Sequence, residues 1–212
     1  MGLATWMMLR KGYRRAYEDC RAELTHALAV IDFDLDRLHV FEVPDQEATN
    51  RLPELIDRVR ALLVGSRATL IATHAYEGGH PDHDAAAFVV AEAVARLDRP
   101  PPVVEAPFYH DALGHTVYGR FIARDGCPVD EHRLAPDELA RKQAMLAAYP
   151  SQREVLDRFD ITVERLRPAP RYDFTAPPHA GRLHYERWGW PLDGATFRAR
   201  VAEARARHMG VA

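Results

Sequence analysis

The sequence is poor in cysteine and lysine and has no long apolar run. Only two cysteines occur among the 212 residues, Cys20 and Cys127, and their wide separation excludes a disulfide framework and a cysteine-rich metal site. Lys11 and Lys142 are the only lysines. No stretch approaches the ~20 apolar residues of a transmembrane helix, and the short N-terminal apolar segment precedes its positive charges, the reverse of a signal peptide. We therefore expect a cytoplasmic protein without a membrane span.

The charge balance is close to neutral and argues against two classes of partner. The formal net charge is −3, with 47% hydrophobic and 28% charged residues, which are ordinary values for a soluble protein. The arginines are interleaved with acidic residues, so we predict neither a nucleic-acid surface nor a polybasic membrane anchor. The length fits one globular domain, which we assign to residues 1–212.

Hydrophobic periodicity alternates between helix and strand up to about residue 110 and is irregular afterwards. Helices are predicted at 13–30, 49–63, 84–97, 136–148, 152–159 and 194–208. Strands are predicted at 38–43, 68–73, 103–108 and 115–123, and a proline-rich loop at 167–178. The alternation predicts an α/β fold with a mostly parallel sheet flanked by helices, followed by an irregular C-terminal extension.

One segment, Thr73 to Asp84, concentrates histidine, aspartate and glycine between the best-predicted strand and the best-predicted helix. In open α/β sheets ligands bind at such a junction, beyond the carboxyl end of a strand. Gly78 and Gly79 permit a tight turn, and Pro81 suits the first turn of a helix.

His80 and His83 are three residues apart, so on a helical turn they project towards the same side. One imidazole could then bind a metal while the other acts as a proton donor or oxyanion partner. Asp82 or Asp84 would cap the helix or orient a ring nitrogen. The alternative is that both aspartates are plain caps and both histidines face solvent, which is the more common meaning of this spacing alone.

The whole string from Tyr76 to His83, Tyr-Glu-Gly-Gly-His-Pro-Asp-His, resembles the second motif of the PIG-L (LmbE-like) zinc-dependent de-N-acetylase family. Three further segments are similar to parts of that family, at 43–46, 147–152 and 185–190. The resemblance runs from about residue 16 to the end. It implies a Rossmann-like α/β enzyme that removes acetyl groups from N-acetylglucosamine-type substrates with one Zn²⁺.

The resemblance also implies roles for four residues, and the position of a fifth, His110, suggests its role. His83 corresponds to a zinc ligand, and His80 to the catalytic group that stabilises the tetrahedral intermediate. Asp45 would face the sugar, and Tyr76 would approach the acetyl group or merely pack. His110, which follows a predicted strand, would line the substrate pocket.

The sequence departs from the family at its N-terminal end. The family opens with a strand ending in His-x-Asp-Asp, which supplies two further zinc ligands and the general base, yet no histidine or aspartate precedes Asp19. We therefore expect the first strand-helix-strand unit to be missing and Zn²⁺ binding to be weak or absent. The acidic loop 32–36 with His39 is interpreted as solvated, not as a substitute.

Three functions remain open on this reading. The first is a zinc-dependent hydrolase that acts on an N-acetylglucosamine-type or related small amide, with activity impaired in this chain. The second is a catalytically inactive homologue that binds a sugar or a protein partner, and the third is a different metallohydrolase. Aromatic residues of the C-terminal segment either stack on a sugar ring or pack onto the core: Tyr172, Phe174, Tyr185, Trp188 and Trp190.

Overall fold

Residues 19–209 are described by a computed structural model of the chain. They form two compact units, the first from residues 19–41 and 132–164 and the second from residues 42–131 and 165–209. All five candidate site residues belong to the second unit. The first residues of the helix predicted at 13–30 lie outside the described part, and the assignment of 1–212 to one domain stays a prediction.

The helices follow the periodicity of the sequence closely in the second unit. The described helices are α1 at 19–29, α2 at Leu52–Gly65, α3 at Pro81–Val94, α4 at Pro136–Ala147, α5 at Arg153–Leu156, α6 at His184–Arg187 and α7 at Gly194–Met209. Pro81 opens α3 because its missing N–H has no intrahelical partner at that position. None of the helices in the described chain is both long and apolar enough to cross a membrane.

The strands build a mixed sheet, which confirms the α/β fold class. The strands are β1 at Ile71–His74, β2 at Val103–Ala106, β3 at Tyr109–Ala112, β4 at His115–Tyr118, β5 at Asp130–Arg133 and β6 at Val163–Pro168. The main sheet has the order β1-β2-β6-β5, and β3 and β4 form a separate hairpin. β1 and β2 are parallel, as expected for the α/β segment, whereas β2 and β6 are antiparallel.

Two predicted strands differ from the structure. Residues 38–43 contain no strand, because Glu42 has a φ of 53°, which interrupts an extended backbone. The strand predicted at 115–123 ends at Tyr118, where Gly119 takes a φ of 62° and closes the β3–β4 hairpin.

Strands β5 and β6 were not predicted. All four residues of β5 are exposed, so its sequence lacks the alternation that marks a half-buried strand. β6 contains Arg167, which is 2% exposed and bonds to the buried carboxylate of Glu105 at 2.7 Å. A strand that buries a charged side chain against a distant partner has no local signature.

Helices α2, α3 and α7 supply most of the second unit's core. Their fully buried side chains recur at three- and four-residue spacings, as an apolar helix face requires: Leu52, Ile56, Phe88, Phe197 and Val201. Helix α3 follows β1 directly in the sequence. The β1–α3 connection therefore begins at the carboxyl end of β1, at the same edge of the sheet as the carboxyl end of its parallel neighbour β2. This connection carries the candidate site.

Candidate functional site

The connection between β1 and α3 is a tight turn that only glycine allows. Gly78 has a φ of 67°, a region that is strained for other residues. A Cβ on Gly79 would overlap the carbonyl oxygen of Tyr109 at the start of β3. The turn is therefore pressed against the β3–β4 hairpin, and His80 follows at its end.

His80 is the N-cap of α3, not a residue of its first turn. Its backbone is extended, and its ring Nδ1 accepts a hydrogen bond from the Asp82 amide at 3.1 Å. Since Nδ1 is the acceptor, a neutral ring must carry its proton on Nε2. Nε2 lies 3.5 Å from Oδ1 of Asp45. The cap thus fixes the tautomer and directs an N–H donor towards Asp45.

The Asp82 carboxylate binds the turn that carries Asp45. It accepts hydrogen bonds from the amides of Gln46 at 2.7 Å and Ala48 at 3.1 Å. Gln46 has a φ of 66°, so these bonds hold a backbone conformation that is unfavourable for a non-glycine residue. A hydrogen bond from His80 lowers the pKa of Asp45, which is therefore ionised at neutral pH.

Asp84 stabilises the turn from inside. Its side chain is fully buried and accepts hydrogen bonds from the amides of Glu77 at 3.2 Å and Gly78 at 3.0 Å. Burial raises its pKa well above the ordinary value. Asp84 is thus neither the cap nor a ring-orienting group, but a support for the glycine turn.

His83 and His74 form a stacked pair next to the cap. Their ring centroids are 4.0 Å apart with an interplanar angle of 5°, and the edge of Phe108 packs against His83 at 4.7 Å. Burial lowers the pKa of His83 to about 2 and that of His74 to about 4, so both rings are neutral at pH 7. Among the described residues, neither ring has a hydrogen-bond partner, which leaves a lone pair of His83 available for a ligand.

Tyr76 and His110 lie in the interior of the second unit. Tyr76 is 3% exposed, and its hydroxyl donates to the Ala176 carbonyl at 2.9 Å. His110 is 6% exposed, with Nδ1 3.7 Å from Oε2 of Glu77. The structure therefore brings Asp45 and His80 together, whereas substrate contacts of Tyr76 and His110 stay predictions.

Asp45, His80 and Asp82 offer potential ligand atoms within 4.8 Å of one another, but they do not fit a zinc ion as arranged. A zinc-bound imidazole uses a deprotonated nitrogen, whereas Nδ1 of His80 is already an acceptor and Nε2 carries the proton. Zinc sites in enzymes use three protein ligands. His83 is suitable in chemistry because its ring is neutral, so the described residues by themselves leave such a site incomplete.

The C-terminal segment contributes two residues whose place at the site the sequence did not reveal. The backbone amide of His184 donates to the Gly78 carbonyl at 2.9 Å, and its ring Nδ1 donates to the Gly79 carbonyl at 3.2 Å. The indole of Trp190 lies against the His80 ring, with centroids 4.8 Å apart. Trp190 was one of several aromatic candidates, and the Trp-Gly-Trp pattern is the only local signal for it.

The sequence and the fold were compared with known proteins. The family model described as PIG-L, GlcNAc-PI de-N-acetylase, matches residues 8–94, which confirms the resemblance drawn from the motif. No curated protein sequence matches the chain.

Two solved structures share the fold at 19% identity. One is the zinc-inhibited form of teicoplanin deacetylase Orf2, with a TM-score of 0.51 over 74% of this chain and 76% of that chain. The other is a deacetylase–bog complex from the teicoplanin biosynthesis pathway, with a TM-score of 0.52 over 74% of this chain and 75% of that chain.

Proposed function

Since the chain carries a PIG-L-family domain over residues 8–94, we propose that it is a de-N-acetylase, a hydrolase that removes an acetyl group from an N-acetylglucosamine-type or related amide. The two solved structures that share its fold are deacetylases, which supports this reaction class. The substrate would be a small molecule, water would accept the acetyl group, and the absence of a disulfide framework favours a cytoplasmic location.

The observation that carries the proposal is the donor on His80. Its side chain is 14% exposed, and its capping bond holds the proton on Nε2. In amide hydrolysis negative charge develops on the carbonyl oxygen, and a fixed N–H aimed at that oxygen stabilises it. An acetyl oxygen placed where Asp45 Oδ1 lies would accept this N–H.

Asp45 supplies the complementary polar group. Its side chain is 53% exposed and ionised, and Nε2 of the Gln46 side chain donates to it at 3.2 Å. An ionised carboxylate is a strong acceptor for sugar hydroxyls. Asp45 therefore binds the substrate. Without substrate, its carboxylate faces the Nε2–H of His80.

Zn²⁺ is the cofactor that the family implies, and it would polarise the amide and lower the pKa of a bound water. His83 is the described residue best suited to bind it, because its ring is neutral and its lone pairs are not engaged. As the single described ligand, it would leave most of the coordination to water. We propose that binding by this chain is weak.

Within residues 19–209 the ligand set is incomplete, which favours a second candidate function, a homologue that binds a sugar or a protein partner without hydrolysing an amide. Such a protein would retain the His80 donor and the Asp45 acceptor as binding groups. It differs from the first candidate in one measurable respect, because it would bind N-acetylglucosamine without releasing acetate.

The test is acetate release from N-acetylglucosamine by the full 212-residue chain, with and without added Zn²⁺. The informative variant is His80→Asn, because asparagine is a good N-cap and preserves the helix start while removing the Nε2–H donor. We expect it to lower the rate at least about 100-fold. His132→Asn, at a histidine that is 61% exposed, should leave the rate unchanged.

Each outcome has a distinct meaning. Release that depends on His80 supports the deacetylase. Sugar binding without release supports the non-hydrolytic candidate, and neither binding nor release overturns the deacetylase and the sugar-binding form of the second candidate. Elemental analysis of the purified chain tests the metal separately, because a zinc-to-protein ratio near one would contradict weak binding.

A further inference from the structure

The aromatic side chains of the C-terminal segment separate into buried and accessible groups. Phe174 and Tyr185 are 2% and 0% exposed, so they belong to the core. The hydroxyl of Tyr172 donates to the buried carboxylate of Glu105 at 2.7 Å. Only the two tryptophans at the end of α6 remain as candidates for contact with a ligand, and they differ in position.

A Schellman motif at the end of α6 determines where the second tryptophan lies. Trp188 is the C-cap, and Gly189 follows with a φ of 69°. The Gly189 amide donates to the Glu186 carbonyl at 3.2 Å, and the Trp190 amide donates to the Tyr185 carbonyl at 3.0 Å, the bond pattern of this motif. The chain thus reverses at Gly189 and directs Trp190 back along the helix.

Helix α6 is in turn docked onto the glycine turn of the site. The two bonds from His184 to the carbonyl groups of Gly78 and Gly79 connect residues about a hundred positions apart. Because Gly79 immediately precedes His80, these bonds fix the position of α6 relative to the His80 ring. The indole of Trp190 meets that ring at 4.8 Å with an interplanar angle of 68°.

Trp188 occupies a different place in the same motif. Its ring stacks on His184 at a centroid distance of 5.5 Å, and its side chain is 56% exposed. No ring contact joins it to His80 within the described residues, whereas Trp190 is partly buried beside the donor. The two indoles therefore form a matched pair, one at the site and one away from it.

We infer that Trp190 is the substrate-positioning residue of the His80 site, and that its indole packs against the sugar ring of an N-acetyl amino sugar. The inference rests on the proposed function for the class of substrate. Binding sites for small polar molecules combine an aromatic surface with a few placed polar groups. Here Trp190 provides the apolar surface, Asp45 accepts hydroxyl groups and His80 donates to the acetyl oxygen.

The test compares Trp190→Ala and Trp190→Phe with Trp188→Ala. Calorimetric titration with N-acetylglucosamine, carried out on the full chain, should show binding weakened about tenfold by the alanine variant and about twofold by phenylalanine, which keeps an aromatic face. Trp188→Ala should bind within about twofold of the parent, since the Trp188 indole stacks on His184 and has no ring contact with His80 among the described residues. Where turnover is measurable, the loss should appear in KM with kcat retained.

Intrinsic fluorescence gives a readout that needs no turnover. Addition of N-acetylglucosamine should change the tryptophan emission of the parent and of Trp188→Phe, and the change should be lost in Trp190→Phe. Equal affinity of Trp190→Ala and the parent would overturn the inference, as would equal losses in the Trp188 and Trp190 variants. Trp190-dependent binding without acetate release would overturn the proposed hydrolysis and leave the inference standing.

Discussion

Two helix ends meet at the His80 ring, and they are stabilised in different ways. At the N-terminal end of α3, side chains satisfy the backbone: the His80 ring caps the helix, and the carboxylates of Asp82 and Asp84 accept from four loop amides. At the C-terminal end of α6, backbone bonds and the positive φ of Gly189 suffice. The first end depends on side-chain chemistry and the second on backbone conformation.

This difference predicts different sensitivities. Changes at the start of α3 remove hydrogen-bond acceptors or intrude on a crowded turn, and both effects are large in a buried environment. Changes at the end of α6 alter one backbone angle in open space, where the cost is limited to local strain. The following substitutions test that contrast.

The largest effect is expected for Gly79→Ala. A methyl group there would overlap the Tyr109 carbonyl oxygen, so the turn or the β3–β4 hairpin must move. Overpacking against backbone destabilises proteins by about 3 kcal/mol or more. Urea denaturation followed by circular dichroism would measure the loss.

Gly65→Ala is the matched control for this substitution. Gly65 ends α2, and a Cβ there meets no atom within 4 Å. Alanine is favoured over glycine in helices by roughly 0.5–1 kcal/mol, so this variant should be as stable as the parent or more so. Equal stability of the two variants would mean that the β3–β4 hairpin can move away from Gly79 at no cost in free energy. The close contact between Gly79 and Tyr109 would then not restrain the turn.

The elements of the second unit that carry the site were predictable because their signals are local. β1, α2, α3 and α7 each have an uninterrupted apolar pattern or a proline at the helix start. The motif between β1 and α3 predicted a ligand site through its place after a strand and through its resemblance to the family's second motif. These are features of a dozen consecutive residues.

The features that escaped prediction depend on distant partners. The Asp82 carboxylate bonds to amides 34 and 36 residues away, and His184 reaches Gly79 across 105 residues. From the sequence alone, Asp82 is predicted as a helix cap or as a group that orients a histidine ring. The cap is the histidine itself, because Asp82 is used to hold the turn that bears Asp45.

The second prediction concerns the pH dependence of α6 docking. Burial is the main reason that the pKa of His184 is lowered from 6.5 to about 4. A depressed folded-state pKa means that the unfolded state binds the proton first, so stability is lost as pH falls from 6.5 towards 4. A shift of this size corresponds to about 3 kcal/mol.

His184→Asn should flatten this loss, since asparagine can still donate to the Gly79 carbonyl but does not titrate. The free energy of unfolding would be measured at pH 7 and pH 4.5 for both proteins, and contributions from His74 and His83 cancel in the comparison. His132→Asn serves as the exposed control. Parallel stability curves for the parent and His184→Asn would contradict a neutral, buried His184.

The third prediction separates stability from geometry at the start of α3. Asp82→Ala removes the acceptor of the Gln46 and Ala48 amides, each a part-buried bond. We expect a loss of about 2 kcal/mol, measured by urea denaturation. Because Asp45 is carried by the released turn, its contact with the His80 Nε2–H should weaken as well, and the chemical shift of His80 Nε2 measured by NMR should change.

Asp125→Ala, at an exposed turn residue, is the control for this change. It removes the same charge without touching the site. If Asp82→Ala lowered stability but left the chemical shift of His80 Nε2 unchanged, Asp82 would support the fold without positioning Asp45. If neither quantity changed, the bonds to the turn would be unimportant.

The smallest effects are expected for two residues with nearly the same φ angle. One lies in the turn bonded to the start of α3, and the other at the end of α6. Gln46 has a φ of 66° and Gly189 a φ of 69°, but only glycine adopts this region without a penalty. Gln46→Gly should therefore stabilise the protein by up to about 1 kcal/mol. The gain is reduced by loss of the exposed hydrogen bond that the Gln46 side chain donates to Asp45. Thermal denaturation would show a raised Tm.

Gly189→Ala is the mirror experiment and should destabilise the protein by about 1 kcal/mol, since a Cβ there meets open space and the cost is backbone strain alone. Stability changes of opposite sign at these matched φ values would show that the turn beside the start of α3 is strained and is held by side chains. They would also show that the turn at the end of α6 is free of such strain. A destabilised Gln46→Gly variant would mean that the Asp82 bonds require the rigidity of the original residue, because glycine also enlarges the freedom of the unfolded chain.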